Sequence, residues 1–313
     1  MNSTTAIKAK SINSTPRQIG SSRPYYLFVL PGLISFALVA GGSFLYNFYL
    51  SFTQWPGYGS PEWIGLGNYS ALLNDATFWA SFLHAFEFIL AMSLIPTFIG
   101  LLFAAIIYDF IARYFGQRIS TFLRISFYLP QIIALPVTGI LWSWMLSPNI
   151  GAINSMLRNV GLDRFALNWL GEPGSAIFAL SVMMIWIQVG YTIIIFVAGM
   201  SRIDPSYDEA AQLDGASWWE RFRVITIPQV YPELSIVLLT TTVAALKVFG
   251  PVFVMTQGGP GNATQVPAMY SYFHFFSTQK VGYGAAIATV LALLLTLLAI
   301  VLLRFQRKLG VTK

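Results

Sequence analysis

The chain has 313 residues, of which 56% are hydrophobic and only 10% charged, against about a quarter charged in a soluble domain, and this excludes an ordinary water-soluble enzyme or binding module. The net charge of +6 is not gathered into one basic patch with interleaved stacking aromatics, so nucleic acid is not the partner. Cysteine is absent, which removes disulfides, thiol catalysis and cysteine-ligated metals; what remains is an all-α, polytopic membrane protein.

In chain order, residues 1–24 are polar and basic, with Lys8, Lys10, Arg17 and Arg23, and read as a flexible cytoplasmic tail. Six apolar runs follow, each longer than the about 20 residues that cross a hydrocarbon core of about 30 Å. They begin near Tyr25, Phe78, Ile125, Ser175, Tyr231 and Gly282 and make residues 25–306 a six-span domain, with 307–313 as a second cytoplasmic tail. The second run is interrupted by His84, Glu87 and Pro96, and the third contains Pro130 and Pro136, which predict a kink or a break. Segments 53–76, 147–174 and 256–280 connect spans on one face, while Asp109–Arg124 and 204–228 connect them on the other. Of the 18 basic residues, 14 lie in the two tails, around Arg113–Arg124 or around the 204–228 loop, so by the positive-inside rule that face, with both termini, is cytoplasmic.

The 204–228 loop is the one long polar island between spans. Ser206 and Ser217 each stand three residues before a glutamate, Glu209 and Glu220, the spacing of a capping box. Gly215 lies where a left-handed helix end needs a residue without a Cβ, and Pro205 and Pro228 bound the segment. The loop therefore predicts two short helices with a bend, Trp219, Phe222 and Ile225 forming an apolar packing stripe.

Glu209-Ala210-Ala211, Asp214-Gly215-Ala216, Phe222, Ile225 and Pro228 resemble, in order and spacing, the EAA loop of ATP-binding-cassette (ABC) importer permeases. The likeness extends over nearly the whole chain from about Tyr25. Phe127-Tyr128-Leu129-Pro130, Leu246-Lys247-Val248-Phe249 and Thr256-Gln257-Gly258-Gly259-Pro260 are similar to the carbohydrate-uptake group of the maltose and glycerol-phosphate type. Gly250, where that group often has Asp, and the polar pair His84 and Glu87 depart from it. The resemblance implies a permease subunit in a bacterial or archaeal cytoplasmic (inner) membrane. Its implied partners are a second permease, two ATPase subunits that bind ATP and Mg, and an extracytoplasmic binding protein that delivers a sugar. Glu209 would then cap and orient the docking helix, Gly215 make its bend and Phe222 pack it.

The chain itself has no phosphate-cradling loop ending in Gly-Lys-Ser/Thr, so no cofactor is expected on it and it is not expected to be an enzyme. His84 and Glu87, one helical turn apart, lack further ligands nearby, so no metal is expected. Glu87 and Lys247 each fall about 12 to 13 Å inside a span at about 1.5 Å per residue, and are expected to face the bundle interior, paired or lining a solute path. Trp186, Gln188 and Tyr191 are further candidates for that path, though aromatics in such a chain also serve packing and interface belts. The outer Gly258-Gly259-Pro260 loop suits both a sharp turn and a binding-protein contact. An ion-coupled secondary transporter of a small polar solute is the alternative function; it would depend on His84, Glu87 and Lys247 and work without an ATPase.

Overall fold

Each apolar run becomes a helix because a backbone in hydrocarbon must satisfy its own hydrogen bonds. The computed structural model describes residues 23–308, so most of the expected N-terminal tail and the end of the C-terminal one lie outside the described residues. Among the described residues five helices are long and apolar enough to cross a membrane, six when one bent pair is taken as a single span. The chain divides into two units, residues 1–47 and 48–313. The described part of the first is helix Arg23–Phe36, a π turn at Ala37–Gly41 and the start of helix Gly42–Leu50, whose last three residues fall in the second unit.

The second unit holds the remaining spans. Its second span is one continuous helix, Ala76–Tyr114, of 39 residues, about 58 Å at 1.5 Å per residue. Pro96 does not break it: a π turn at Leu90–Leu94 directly precedes the helical segment that Pro96 opens. The span therefore continues past Asp109, which had read as the start of a loop, and the inner connection shrinks to a turn at Gly116 with φ +86. The third span is Gln117–Ile132 and Leu135–Met145, bent by 96° at the break. The fourth, Pro173–Met200, is the most buried. The fifth, Tyr231–Met255, breaks into Tyr231–Leu246 and Gly250–Met255, and the sixth is Val281–Lys308. The outer connections carry a short hairpin pairing Thr53 with Trp63, helix Ala152–Asn159, and helix Pro267–Phe276 packed along the sixth span.

Close approach replaces the hydrophobic effect as the glue between spans, since lipid is as apolar as leucine. A Cβ on Gly100 would overlap the Thr192 side chain, and one on Gly190 would overlap the Phe127 carbonyl, so these glycines let the fourth span seat against the second and third. Thr192 donates to the Pro96 carbonyl at 2.9 Å. Thr241 of the fifth span donates to Ser93 of the second at 2.8 Å. At the inner ends of the fourth and fifth spans, Arg202 forms an ion pair with buried Glu233.

At the outer end, Asp75 caps the second span: Oδ1 accepts from the Thr77 and Phe78 amides at 2.8 and 3.1 Å. Its Oδ2 accepts from the Tyr270 and Tyr283 hydroxyls, both at 2.5 Å, tying three helices together. Burial pushes this carboxyl up, but the hydrogen bonds from Tyr270, Tyr283, Phe78 and Thr77 outweigh it and hold it below its ordinary value.

Two outcomes test this packing. Gly190→Val should destabilise the detergent-solubilised protein by about 1–3 kcal/mol, the usual cost of overpacking, read as a lower melting temperature; a wild-type value would contradict the close approach. A carboxylate whose folded pKa is depressed adds stability above its unfolded pKa and loses it as pH falls through the folded value. Asp75→Asn should therefore lower the melting temperature at pH 7 and reduce its further drop below about pH 4, whereas an unchanged acid profile would contradict the role.

Candidate functional site

The inner loop forms two helices, Pro205–Leu213 and Trp218–Arg221, the second continuing through a π turn at Phe222–Thr226 to Ile227–Gln229. The first is capped by Asp204, whose Oδ1 accepts from the Ser206 amide at 3.0 Å, rather than by the expected Ser206 and Glu209 box. Pro205 fixes the first helical position, so the residue before it is the one with the extended backbone of a cap. Glu209 is exposed and takes no part in the cap. The second box is present: Glu220 N–H donates to Ser217 Oγ at 3.4 Å and Ser217 N–H to Glu220 Oε2 at 2.7 Å. Hydrogen bonds to Ser206 and to Ser217 hold the Asp204 and Glu220 carboxyls below their ordinary values.

Between the helices, Gly215 has φ +80. Its N–H donates to the Gln212 carbonyl at 3.1 Å and that of Ala216 to the Ala211 carbonyl at 2.9 Å, the paired bonds of a Schellman end. The turn stands clear of the spans: Leu213 is 89% exposed, and Ala210, Asp214 and Gly215 are exposed beside it. Ala211 is half-buried and Pro228 exposed.

The base of the loop is held firmly. Phe222 is 4% exposed and stacks on Trp218 with ring centroids 5.3 Å apart. The expected stripe through Trp219 is displaced by one residue: Trp219 is 54% exposed, while Trp218 turns inward and donates Nε1–H to Asp109 Oδ2 at 2.8 Å. Arg221 pairs with Asp208 at 2.6 Å and donates to the Ala216 carbonyl at 2.8 Å, cross-linking the two helices. The loop is thus anchored on the inner extension of the second span. Sequence reasoning missed Trp218, Asp109 and Arg221; the polar Asp109 inside an otherwise apolar run was the available signal.

A second feature lies where the two broken spans meet. Pro136 and Pro251 each occupy a first-turn position of the helix that restarts after the break, where a missing N–H costs nothing. The segments Ile132–Leu135 and Lys247–Pro251 line a cavity of about 480 Å³ together with Gln131, Met184 and Gln188. Gln188 is 7% exposed, Lys247 is exposed, and Gln131 Oε1 is buried without a partner. A charge inside a span costs at least about 2.5 to 3.5 kcal/mol, which the cavity relieves for Lys247.

The structure brings together Gln188 and Lys247 but not the other path candidates. Glu87 is exposed on the second span, outside the cavity wall, and among the described residues forms no ion pair with Lys247. The packed face of its helix runs through Phe78, Phe82, Ala85 and Phe88, so helical phase turns Glu87 away from the bundle, contrary to the expectation. Trp186 packs on Trp142, centroids 5.8 Å apart, and the Tyr191 hydroxyl is 3.3 Å from Thr240 Oγ1; neither lines the cavity. His84 Nδ1 lies 2.9 Å from the Gln265 carbonyl. In the outer loop Gly258 has φ +85, Gly259-Pro260 is cis, and Thr264 donates to the Gly259 carbonyl at 2.7 Å, which makes a tied turn.

Residues 97–311 match the family described as binding-protein-dependent transport system inner membrane component. A probable ABC transporter permease of Pyrococcus horikoshii is 35% identical over 274 residues, covering 87% of this chain and 91% of the relative. The trehalose/maltose transport system permease MalF of Thermococcus litoralis is 31% identical, covering 90% and 93%. A solved bacterial ABC transporter involved in import of the acidic polysaccharide alginate shares the fold, with TM-score 0.80 and 22% identity over 92% of this chain and 96% of that one.

The assignment of the first cap is testable by hydrogen exchange in the loop. Asp204→Ala should speed exchange at residues 206–208 about fivefold, the equivalent of about 1 kcal/mol, and Ser206→Ala should not; the reverse order would restore the serine cap.

Proposed function

Because the chain belongs to the binding-protein-dependent transport inner membrane component family, an ABC importer permease, we propose that it forms the solute path for a carbohydrate and takes its driving force from a separate ATPase through the 204–228 loop. The observation that carries this reading is the loop's construction: a capped, exposed tip at Leu213–Gly215 on a base fixed to the second span by Trp218 and Asp109. A knob that projects from a rigid base suits insertion into a groove on a soluble partner.

The steps follow from that arrangement. An extracytoplasmic binding protein delivers the solute to the outer ends of the spans, near the tied Gly258-Gly259-Pro260 turn. ATP and Mg bind in two ATPase subunits, whose closure moves the docked tip. The Arg221–Asp208 pair makes the loop helices move as one body, and the Trp218–Asp109 bond passes the displacement to the second span. The second span packs along the fourth, so the shift reaches the wall of the cavity that holds Gln188 and Lys247. A second permease, a different polypeptide in this reading, supplies the facing half of the path, and the assembly sits in the cytoplasmic (inner) membrane. Carbohydrate is the solute class because relatives are named for starch degradation products and for trehalose and maltose.

Gly215→Val tests the coupling role without touching the spans, since nothing lies within 4 Å of a Cβ there but φ +80 disfavours a branched residue. Reconstituted with its partners, the variant should keep ATP hydrolysis and lose uptake about tenfold or more. Uptake at the wild-type rate per ATP would overturn the role given to the loop.

A further inference from the structure

The cavity between the broken third and fifth spans carries a single positive charge. Its wall contains one ionisable side chain, Lys247, and no carboxylate. Among the described residues Lys247 enters no ion pair, and Glu87 lies outside the wall. Two amides share the space: Gln188, itself nine-tenths buried and without a hydrogen-bond partner among the described residues, and Gln131. Helix Leu135–Met145 begins in the same wall at Ala134 and Leu135, so its N-terminal end borders the cavity. Phe249 supplies one aromatic face.

An anionic group in this space would make a charge-assisted hydrogen bond to the ammonium. The volume of about 480 Å³ falls within the range of small-molecule sites, about 300–1,000 Å³. We propose that the cavity takes an acidic carbohydrate, with its anionic group on the Lys247 ammonium, its hydroxyls on the amides of Gln131 and Gln188, and its ring against Phe249. This rests on the importer reading and narrows it to a solute class.

The test is equilibrium binding to the intact permease and ATPase assembly in nanodiscs, with three probes on one sugar frame: cellobiose, its uronic acid cellobiuronate, and cellobiose 6-phosphate. At least one acidic probe should bind wild type about tenfold or more tighter than cellobiose, and the better acid identifies the anionic group. Lys247→Gln should erase that difference and Lys247→Arg should retain it. Equal or better binding of cellobiose, a preference that survives Lys247→Gln, or no binding of any probe would overturn the proposal. The same preparation is scored for bound ATPase subunit and ATP-driven uptake. If both are present, only the solute class falls; if both are missing, the importer reading fails on its own account.

Discussion

In hydrocarbon, every backbone N–H and C=O must find a partner within the protein, and that requirement decides where this chain can interrupt a helix. It does so twice, at Ile133–Ala134 and at Lys247–Phe249, and both interruptions line the same cavity. Each is followed by a proline in the first turn of the next helix, so the break is written into the sequence and not left to bending. Pro96 stands in contrast, because there a π turn and the Thr192 hydroxyl on its carbonyl keep the second span continuous.

Continuity of the second span matters because it is the longest span among the described residues. It starts at a carboxylate cap that collects two tyrosines from later helices and carries, a little more than one turn before its inner end, the aspartate that receives Trp218. Between those ends it packs along the most buried span through Gly100 and Thr192. A displacement of the cytoplasmic loop therefore has a short mechanical route to the cavity, made of one hydrogen bond and one tightly packed helix pair.

Much of this was legible in the amino-acid sequence. Span number, the kinked third span, the bend at Gly215 and the Ser217 box follow from hydropathy, proline position, glycine and local spacing, all of which act within a few residues. What escaped was orientation. Glu87 and Lys247 have similar depth by residue count, yet helix phase sends one away from the packed face and a chain break admits the other to the cavity. The choice between Trp218 and Trp219 depends on Asp109, more than a hundred residues earlier, and the choice of Asp204 over Ser206 depends on the proline between them. Long-range partners and competing caps are decided by tertiary contact, which residue spacing alone does not carry.

The central claim is that the exposed turn of the loop docks in an ATPase subunit on the cytoplasmic side. The chain has no native cysteine, so Leu213→Cys places a single thiol at the tip. In the intact assembly, a short bifunctional maleimide–amine reagent should join that thiol to the ATPase subunit, with a yield that changes on ATP binding. Labelling of Leu213→Cys by a membrane-impermeant maleimide added outside intact cells, with no cross-link to an ATPase in the purified assembly, would contradict it.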